Sequence, residues 1–331
     1  MQNGTVLAAL DLGSNSFRLE IGRLDHGQIE RIDYLKETVR QGGELNSDGL
    51  LSQQGMQKGW DCLARFAERL EGIPLNQIRA VATQTLREAK NKEVFLQKAQ
   101  DILGFPVDVI SGKEEARLIY SGVVHHLAQT EEKRLVVDIG GRSTEFILGQ
   151  GFEPKVLESY PIGSVSWSTR YFPNGQFSQK AFDQATLAAK AVLEEIQVRY
   201  DPSHWQAAYG SSGAINAVAE LLIANNRSTG QIQYADLTWI IDKCIKGESA
   251  SKLKMEGLRD DRRAVIGGAI SVLMAIFELL QIKTLQSAQG ALRHGVLYDL
   301  LDRDYAETDL RGNSIKKLAK RFSVDNQQSD R

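Results

Sequence analysis

Two stretches of the chain decide its fold: ALDLGSNSFRLEIG at residues 9–22 and VVDIGGRSTEFILG at residues 136–149. Laid together without gaps, Asp11 meets Asp138, Gly13 meets Gly140, Ser16 meets Ser143 and Gly22 meets Gly149. Each copy reads as an apolar strand, an Asp at its end, a Gly/Ser turn and a second strand. Such a hairpin turn exposes backbone N–H groups and hydroxyls in a concave array that suits phosphate oxygens. The Asp can hold a metal ion directly or through water, because hard oxygen ligands suit Mg²⁺. One copy alone is an ordinary glycine-containing hairpin. Two copies at matched spacing point to a duplicated pair of domains with facing phosphate loops. Arg18 and Glu145 occupy equivalent places in the copies, and their opposite charges suggest divided labour: Arg18 near phosphate, Glu145 near the metal or the attacking water.

Around these hairpins, strands and helices alternate, which argues an α/β fold. Met56, Trp60, Leu63, Ala67 and Leu70 fall three or four apart, so the spacing predicts a helix over 52–70, ended by Gly72 and Pro74. Short strands are expected at 79–83, 105–110, 135–138 and 206–209, and helices from Thr85, Ser111, Ser178, Gly210, Val265 and Ala291. Ser111-Gly112-Lys113-Glu114 has capping-box spacing, which assigns Glu114 to the helix N-terminus. Glu115 is then free in the first turn, where the helix dipole favours its charged form and lets it accept a proton from water. Arg87 is expected in the first turn of its helix, where a bound phosphate would offset the unfavourable dipole. Gly210-Ser211-Ser212-Gly213 leads into a helix; it is either an anion site of backbone N–H groups or a plain turn with Ser212 as N-cap. Arg262, Arg263 and Arg293 are weaker candidates for a basic lining. The adjacent His125 and His126 do not share a helix face and are not read as a metal pair.

With 331 residues, the chain is too long for one ordinary core and suits two domains. A formal net charge of −2 excludes a globally basic nucleic-acid binder, so an anionic substrate must meet a local basic patch. No apolar run approaches the ~20 residues of a membrane span, and no secretory signal opens the chain. Cys62 and Cys244 read as two buried free thiols, consistent with a cytoplasmic home.

The residues also carry a resemblance. DLGSNSFRLEI, VATQTLREAKN, ISGKEEARLIYSGV, DIGGRSTE, GSSGAIN, GLRDDRRAVIGGAI and GALRHGVLYDLL follow in the order of the blocks of the Ppx/GppA phosphatase family, over nearly the whole chain. The resemblance implies two actin-like (ribonuclease H-like) domains of the ASKHA superfamily flanking a cleft: residues 1–124 and 125–304. It implies a metal-dependent hydrolase that releases orthophosphate from inorganic polyphosphate, or alternatively converts guanosine pentaphosphate to the tetraphosphate. An ATP-driven conformational switch and a silent alarmone sensor are remoter readings. A homodimer is allowed, with no nucleic-acid or membrane partner.

Carried over residue by residue, the resemblance makes Glu115 the catalytic base, assisted by Glu145. It puts phosphate on Gly13, Ser14, Asn15, Ser16, Arg18, Arg87, Gly140, Gly141, Ser143, Thr144 and the 210–213 turn. Mg²⁺ or Mn²⁺ falls to Asp138 and Asp11. One departure stands out: the family pattern usually has Gly where this chain has Arg142, which either adds a phosphate contact or narrows the loop. After Gly312, Ile315, Leu318, Ala319 and Phe322 predict an amphipathic helix. Longer family members continue there into an HD-like helical domain, so 305–331 is expected to be its start, cut short, or a last helix docked on the second domain.

Overall fold

The computed structural model describes residues 1–303. Its first sheet is built from β1 (Val6–Leu12), β2 (Phe17–Asp25), β3 (Gln28–Glu37), β4 (Ile78–Ala82) and β5 (Val107–Val109), in the spatial order β3-β2-β1-β4-β5. The second sheet contains β6 (Lys133–Ile139), β7 (Thr144–Gln150), β8 (Glu153–Tyr160), β9 (Ala207–Ser211), β10 (Gln231–Ile232) and β11 (Leu285–Ser287). Its order, β8-β7-β6-β9-β11-β10, repeats the first: an antiparallel three-strand meander, then the parallel strands β9 and β11 reached through helices, with the short β10 added antiparallel at the edge. The duplication read from the two hairpins is therefore a duplication of whole actin-like halves.

Helices α1 (Gln53–Arg69), α2 (Gln84–Glu88), α3 (Lys92–Leu103) and α4 (Gly112–Val124) serve the first half. The second half carries α5 (Ser164–Tyr171), α6 (Gln179–Val192), α7 (Ile196–Arg199), α8 (Gly213–Ala224), α9 (Tyr234–Gly247), α10 (Asp260–Arg263) and α11 (Ile266–Leu280). Local chemistry sets their starts. Ser52, Ser111 and Ser178 each accept a backbone N–H at the first turn of α1, α4 and α6, satisfying donors the helix cannot. Of the predicted stripe, Met56, Trp60, Leu63 and Leu70 are buried and Ala67 is half-buried, with Phe66 joining them in the core. α11 is buried on nearly every face, as its unbroken apolar run requires.

Each half has its own core, and a third core lies where they meet. It joins Leu7, Ala9 and Val81 of the first sheet to Val136, Ile147 and Tyr209 of the second, with α4 and a last helix over 292–303 packed against it. A Cβ at Gly295 would lie 1.7 Å from the Leu118 carbonyl oxygen, so that last helix can cross α4 this closely only through glycine. The helix over 292–303, expected in the second half, packs on α4 of the first. The expected helix after Gly312 and the proposed domain start at 305–331 lie outside the described residues. Cys62 and Cys244 are buried and unbridged, and burial pushes the Cys244 thiol up to about 12. Among the described residues no helix is long and apolar enough to cross a membrane.

Candidate active site

The two hairpin turns face each other. Asp11 pairs across the ladder with Arg18, and Asp138 with Glu145. A Cβ at Gly13 would sit 3.0 Å from the Ser16 carbonyl oxygen, and one at Gly140 3.0 Å from that of Ser143. Both turns close through the same tight approach, which glycine permits. A Cβ at Gly141 would fall 3.0 Å from Ser14 Cβ and 3.5 Å from the Asn15 nitrogen, so the second loop rests directly on the first.

Between them opens a cavity of about 260 Å³. Of the residues expected in the site, it is lined by Asp11, Gly13, Ser14, Asn15, Ser16, Arg18, Glu115, Asp138, Gly140, Gly141, Ser143, Ser212, Gly213, Arg262 and Arg293. Its walls differ in charge. On one side Glu115 and Asp138 converge; Asp11 stands between the walls, close to both acids and with its Oδ2 accepting from Arg18 Nη1 at 3.1 Å. Burial is the main reason the Glu115 carboxyl is pushed up to about 7, and Asp11 and Asp138 push it further. The Arg87 guanidinium, whose Nη1 donates to Glu115 Oε2 at 2.6 Å, does not fully offset that. Burial likewise lifts Asp138 to about 6, against Ser211 and Arg18. The expectation that the helix dipole keeps Glu115 ionised is thus corrected: desolvation outweighs it.

Arg18, Lys36 and Arg262 crowd the opposite side. A Cβ at Gly213 would lie 2.3 Å from Arg262 Nη2 and 3.4 Å from Arg18 Nη2, so both guanidiniums press on the N-terminus of α8. Burial and Arg18 make Arg262 hold its proton less tightly than usual. Two guanidiniums at the positive end of a helix form an anion site by charge alone. Ser212 caps α8, accepting from Ala214 N and Ile215 N at 3.2 Å each, with φ at 99°. Of the 210–213 segment, Ser212 is the cap, and only Ser212 and Gly213 line the cavity. Arg293 reaches the cavity from the last helix, held by Glu20, whose carboxyl His294, Arg293 and Arg31 pull down to about 2 despite burial.

The remaining expected residues do not line the cavity. Arg87 stands behind Glu115; α2 is a single turn with Thr83 as its uncapped start, so the dipole argument for Arg87 fails. Arg142 is turned away from the cavity, its Nε and Nη2 donating to Glu88 Oε2 at 3.0 and 2.7 Å and its Nη1 to the Gly42 carbonyl at 2.9 Å. Neither option expected for it, contacting phosphate or narrowing the loop, describes that geometry. The Thr144 hydroxyl donates to the Ile162 carbonyl in the core. Gly210 packs beneath Ile215, and the Ser211 hydroxyl donates to the Gly290 carbonyl. Arg263 pairs with Asp260. Glu145 is fully buried: Oε1 accepts from Ser159, Oε2 has no partner among the described residues, and burial together with Glu115 and Asp138 raises its proton affinity well above the usual range. Glu114 does not reach back to cap α4; it forms a fork with Arg117 at 2.8 Å.

The sequence reading missed Tyr34, Lys36, Asn216 and Arg259, all of which line the cavity. Lys36 was findable. Asp25-His26-Gly27 is a tight turn with φ of 47° and 81° at its last two residues, the left-handed pair of a two-residue hairpin. It folds β3 back so that Lys36 pairs with Arg18.

Metal ligation is a question of donor chemistry. No group of three His, Cys, Asp or Glu side chains forms a complete metal set among the described residues. Mg²⁺ commonly takes only one or two carboxylates and fills its shell with water and substrate phosphate. Asp138, and Asp11 through the oxygen that Arg18 does not bond, fit that pattern, and the two are close enough for Asp11 to raise the proton affinity of Asp138.

A model of the Ppx/GppA phosphatase family matches residues 21–304. The chain is 41% identical over 325 residues to a guanosine-5'-triphosphate,3'-diphosphate pyrophosphatase of Vibrio vulnificus, covering 98% of this chain and 65% of that protein. A protein of the same name from Photobacterium profundum is 41% identical, with 96% and 63% covered. The chain thus spans somewhat under two thirds of the length of these relatives. Among solved structures, an exopolyphosphatase from Cytophaga hutchinsonii superposes with a TM-score of 0.82 at 23% identity, covering 90% of this chain and 98% of that one. The Aquifex aeolicus PPX-GPPA enzyme gives 0.73 at 25%, with 88% and 98% covered.

Proposed function

The chain belongs to the Ppx/GppA phosphatase family, and on that premise we propose that its cleft hydrolyses the terminal phosphoanhydride of guanosine pentaphosphate, releasing orthophosphate and the tetraphosphate. The observation that carries the reading is one cavity walled by Glu115 and Asp138 on one side and by Arg18, Lys36, Arg262 and the α8 N-terminus on the other, with Asp11 between them, bonded to Arg18. Phosphoryl transfer asks mainly for positioning and charge neutralisation, and this cavity supplies both.

The cationic wall and the amides of both turns hold the terminal phosphates. Glu115 takes a proton from water as the water oxygen bonds to the terminal phosphorus. The bond from that phosphorus to the bridging oxygen breaks, and its electron pair leaves with the tetraphosphate. A carboxyl near 7 suits this step, because a base works best with a pKa close to ambient pH. Arg87 holds the carboxylate toward the cavity. Mg²⁺ or Mn²⁺ on Asp11 and Asp138 would neutralise charge on the transferring phosphoryl group. Glu145, the cross-strand partner of Asp138, backs that wall from inside the fold, where burial keeps a proton on its carboxyl.

Guanosine pentaphosphate is preferred to inorganic polyphosphate, the substrate first expected, because the relatives at 41% identity carry its name. The silent-sensor reading loses its best support, since Arg142 does not obstruct the cavity. The test is orthophosphate release, with Mg²⁺ present, from guanosine pentaphosphate, long-chain polyphosphate and ATP in parallel. Fastest release from guanosine pentaphosphate is expected. Faster release from polyphosphate would return the assignment to exopolyphosphatase, and none from any would exclude hydrolysis.

A further inference from the structure

Arg142 and Glu88 belong to opposite halves, and neither lines the cavity. Around them α2 forms a junction. Glu88 accepts Arg142 on Oε2 and, on Oε1, the Gln84 side-chain amide at 2.6 Å. The Gln84 side-chain oxygen accepts from Arg87 Nε at 3.1 Å and Nη2 at 2.5 Å. Arg87 Nη1 ends the series on Glu115 at 2.6 Å. From the same turn, the Thr85 hydroxyl donates to Ser14 of the first loop at 2.8 Å. One unbroken hydrogen-bonded series thus runs from the second phosphate loop, across the cleft, to the candidate base.

We propose that the Arg142–Glu88 pair is a positioning device that fixes the second phosphate loop in register with Glu115 through Gln84 and Arg87. Arg142 has its backbone in the loop and its guanidinium on the opposite half, so its two charge-assisted bonds tie loop position to α2. Its third bond, to the Gly42 carbonyl, adds a second anchor, because Gly42 N donates in turn to the Ser14 carbonyl at 2.7 Å. The pair is half-exposed, with side chains 22% and 30% accessible, so it contributes little to global stability. What it contributes is alignment, and sub-ångström displacement of reacting groups is costly in rate.

This inference rests on the hydrolytic reading, and its test separates the two. Arg142→Gln, Glu88→Gln and the double variant are compared with the wild-type chain for orthophosphate release. Hydrogen exchange of peptides covering residues 139–145 is measured on the same samples. Each single variant is expected to lower kcat on the order of tenfold with KM held within about twofold. The double variant should be no slower than either single, because the residues act as one unit. Exchange at 139–145 should rise in all three while melting temperatures stay close to wild type. A raised KM with kcat spared would make Arg142 a substrate contact and overturn the proposal. Multiplicative losses, unchanged kcat in both singles, or unchanged exchange would overturn it too. If the wild-type chain releases no orthophosphate, the hydrolytic reading fails, and exchange alone decides whether the pair positions the loop.

Discussion

The two hairpins share a backbone and differ in what they carry across it. In the first half, Asp11, Arg18 and Lys36 sit side by side on three neighbouring strands, with Val81 beyond Asp11. In the second half the equivalent row is Asp138, Glu145 and Ser159, with Ser211 beyond Asp138. One row is an acid neutralised by bases. The other is two buried acids with only hydroxyls beside them. Two copies of one hairpin supply two facing turns of the same shape; the change of cross-strand partner makes one row cationic and leaves the other as acids that burial drives to hold protons. Glu115 comes from outside both rows, on α4, and meets the acidic one. The shape of the turns is thus written in the backbone and the charge of each wall in the cross-strand register.

The comparison can be broken most severely at Glu115. Glu115→Gln keeps the shape of the acidic wall and is expected to cost ~10²–10⁴-fold in kcat while leaving substrate affinity near wild type; single-turnover release alongside equilibrium binding checks both. Removing divalent cations tests the acidic row next. Chelation should abolish turnover, with Mg²⁺ or Mn²⁺ restoring it, and Asp138→Asn should cost about 10²-fold. Full activity after exhaustive chelation would mean that the acidic row holds no metal ion.

The cationic row makes a smaller and different prediction. Arg18→Gln should raise KM by about tenfold, the loss of one charge-assisted contact, measured by initial rates over a range of guanosine pentaphosphate. A loss confined to kcat would mean that Arg18 serves Asp11, which it bonds at 3.1 Å, rather than the substrate. The smallest effect is on stability. In the metal-free protein the carboxyls of Glu115, Asp138 and Glu145 all hold protons more tightly than in the unfolded chain. The folded state therefore binds more protons, and stability is fully present at acid pH and lost as pH rises through about 6 and 7. Thermal melting should show a decline of a few degrees between about pH 5.5 and 8. Mg²⁺ should reverse it, and Glu145→Gln should flatten it. A melting temperature that climbs over that range would contradict the burial of the acidic row.

Much of this was legible in the chain. The aligned Asp11/Asp138 and Gly13/Gly140 pairs gave the duplication, the facing turns and the equivalence of Arg18 with Glu145, because strand register follows spacing directly. Ser52, Ser111 and Ser178 announced helices that start where they cap. What spacing could not give was the direction of a long side chain. Arg142 stands in a phosphate loop yet reaches Glu88, 54 residues earlier in sequence. Glu114 had a cap within reach but found Arg117, itself bonded to Asp299 of the last helix. Burial was equally hidden: the first-turn position of Glu115 spoke for an ionised group, and only the third core shows how little water reaches it. Lys36 was lost because β3 was not followed past the Asp25-His26-Gly27 turn.

The role proposed for Glu115, poised by burial on the acidic side of the cleft, is that of the base. It is tested most directly by kcat/KM for guanosine pentaphosphate between about pH 5 and 9, in the wild type and in Glu115→Gln; this ratio reports ionisations of the free enzyme. The wild type should lose activity on acidification with a midpoint at or below about 7, and the residual activity of the variant should lack that limb. An acid limb of the same midpoint in both proteins, or a variant as fast as wild type, would contradict the assignment.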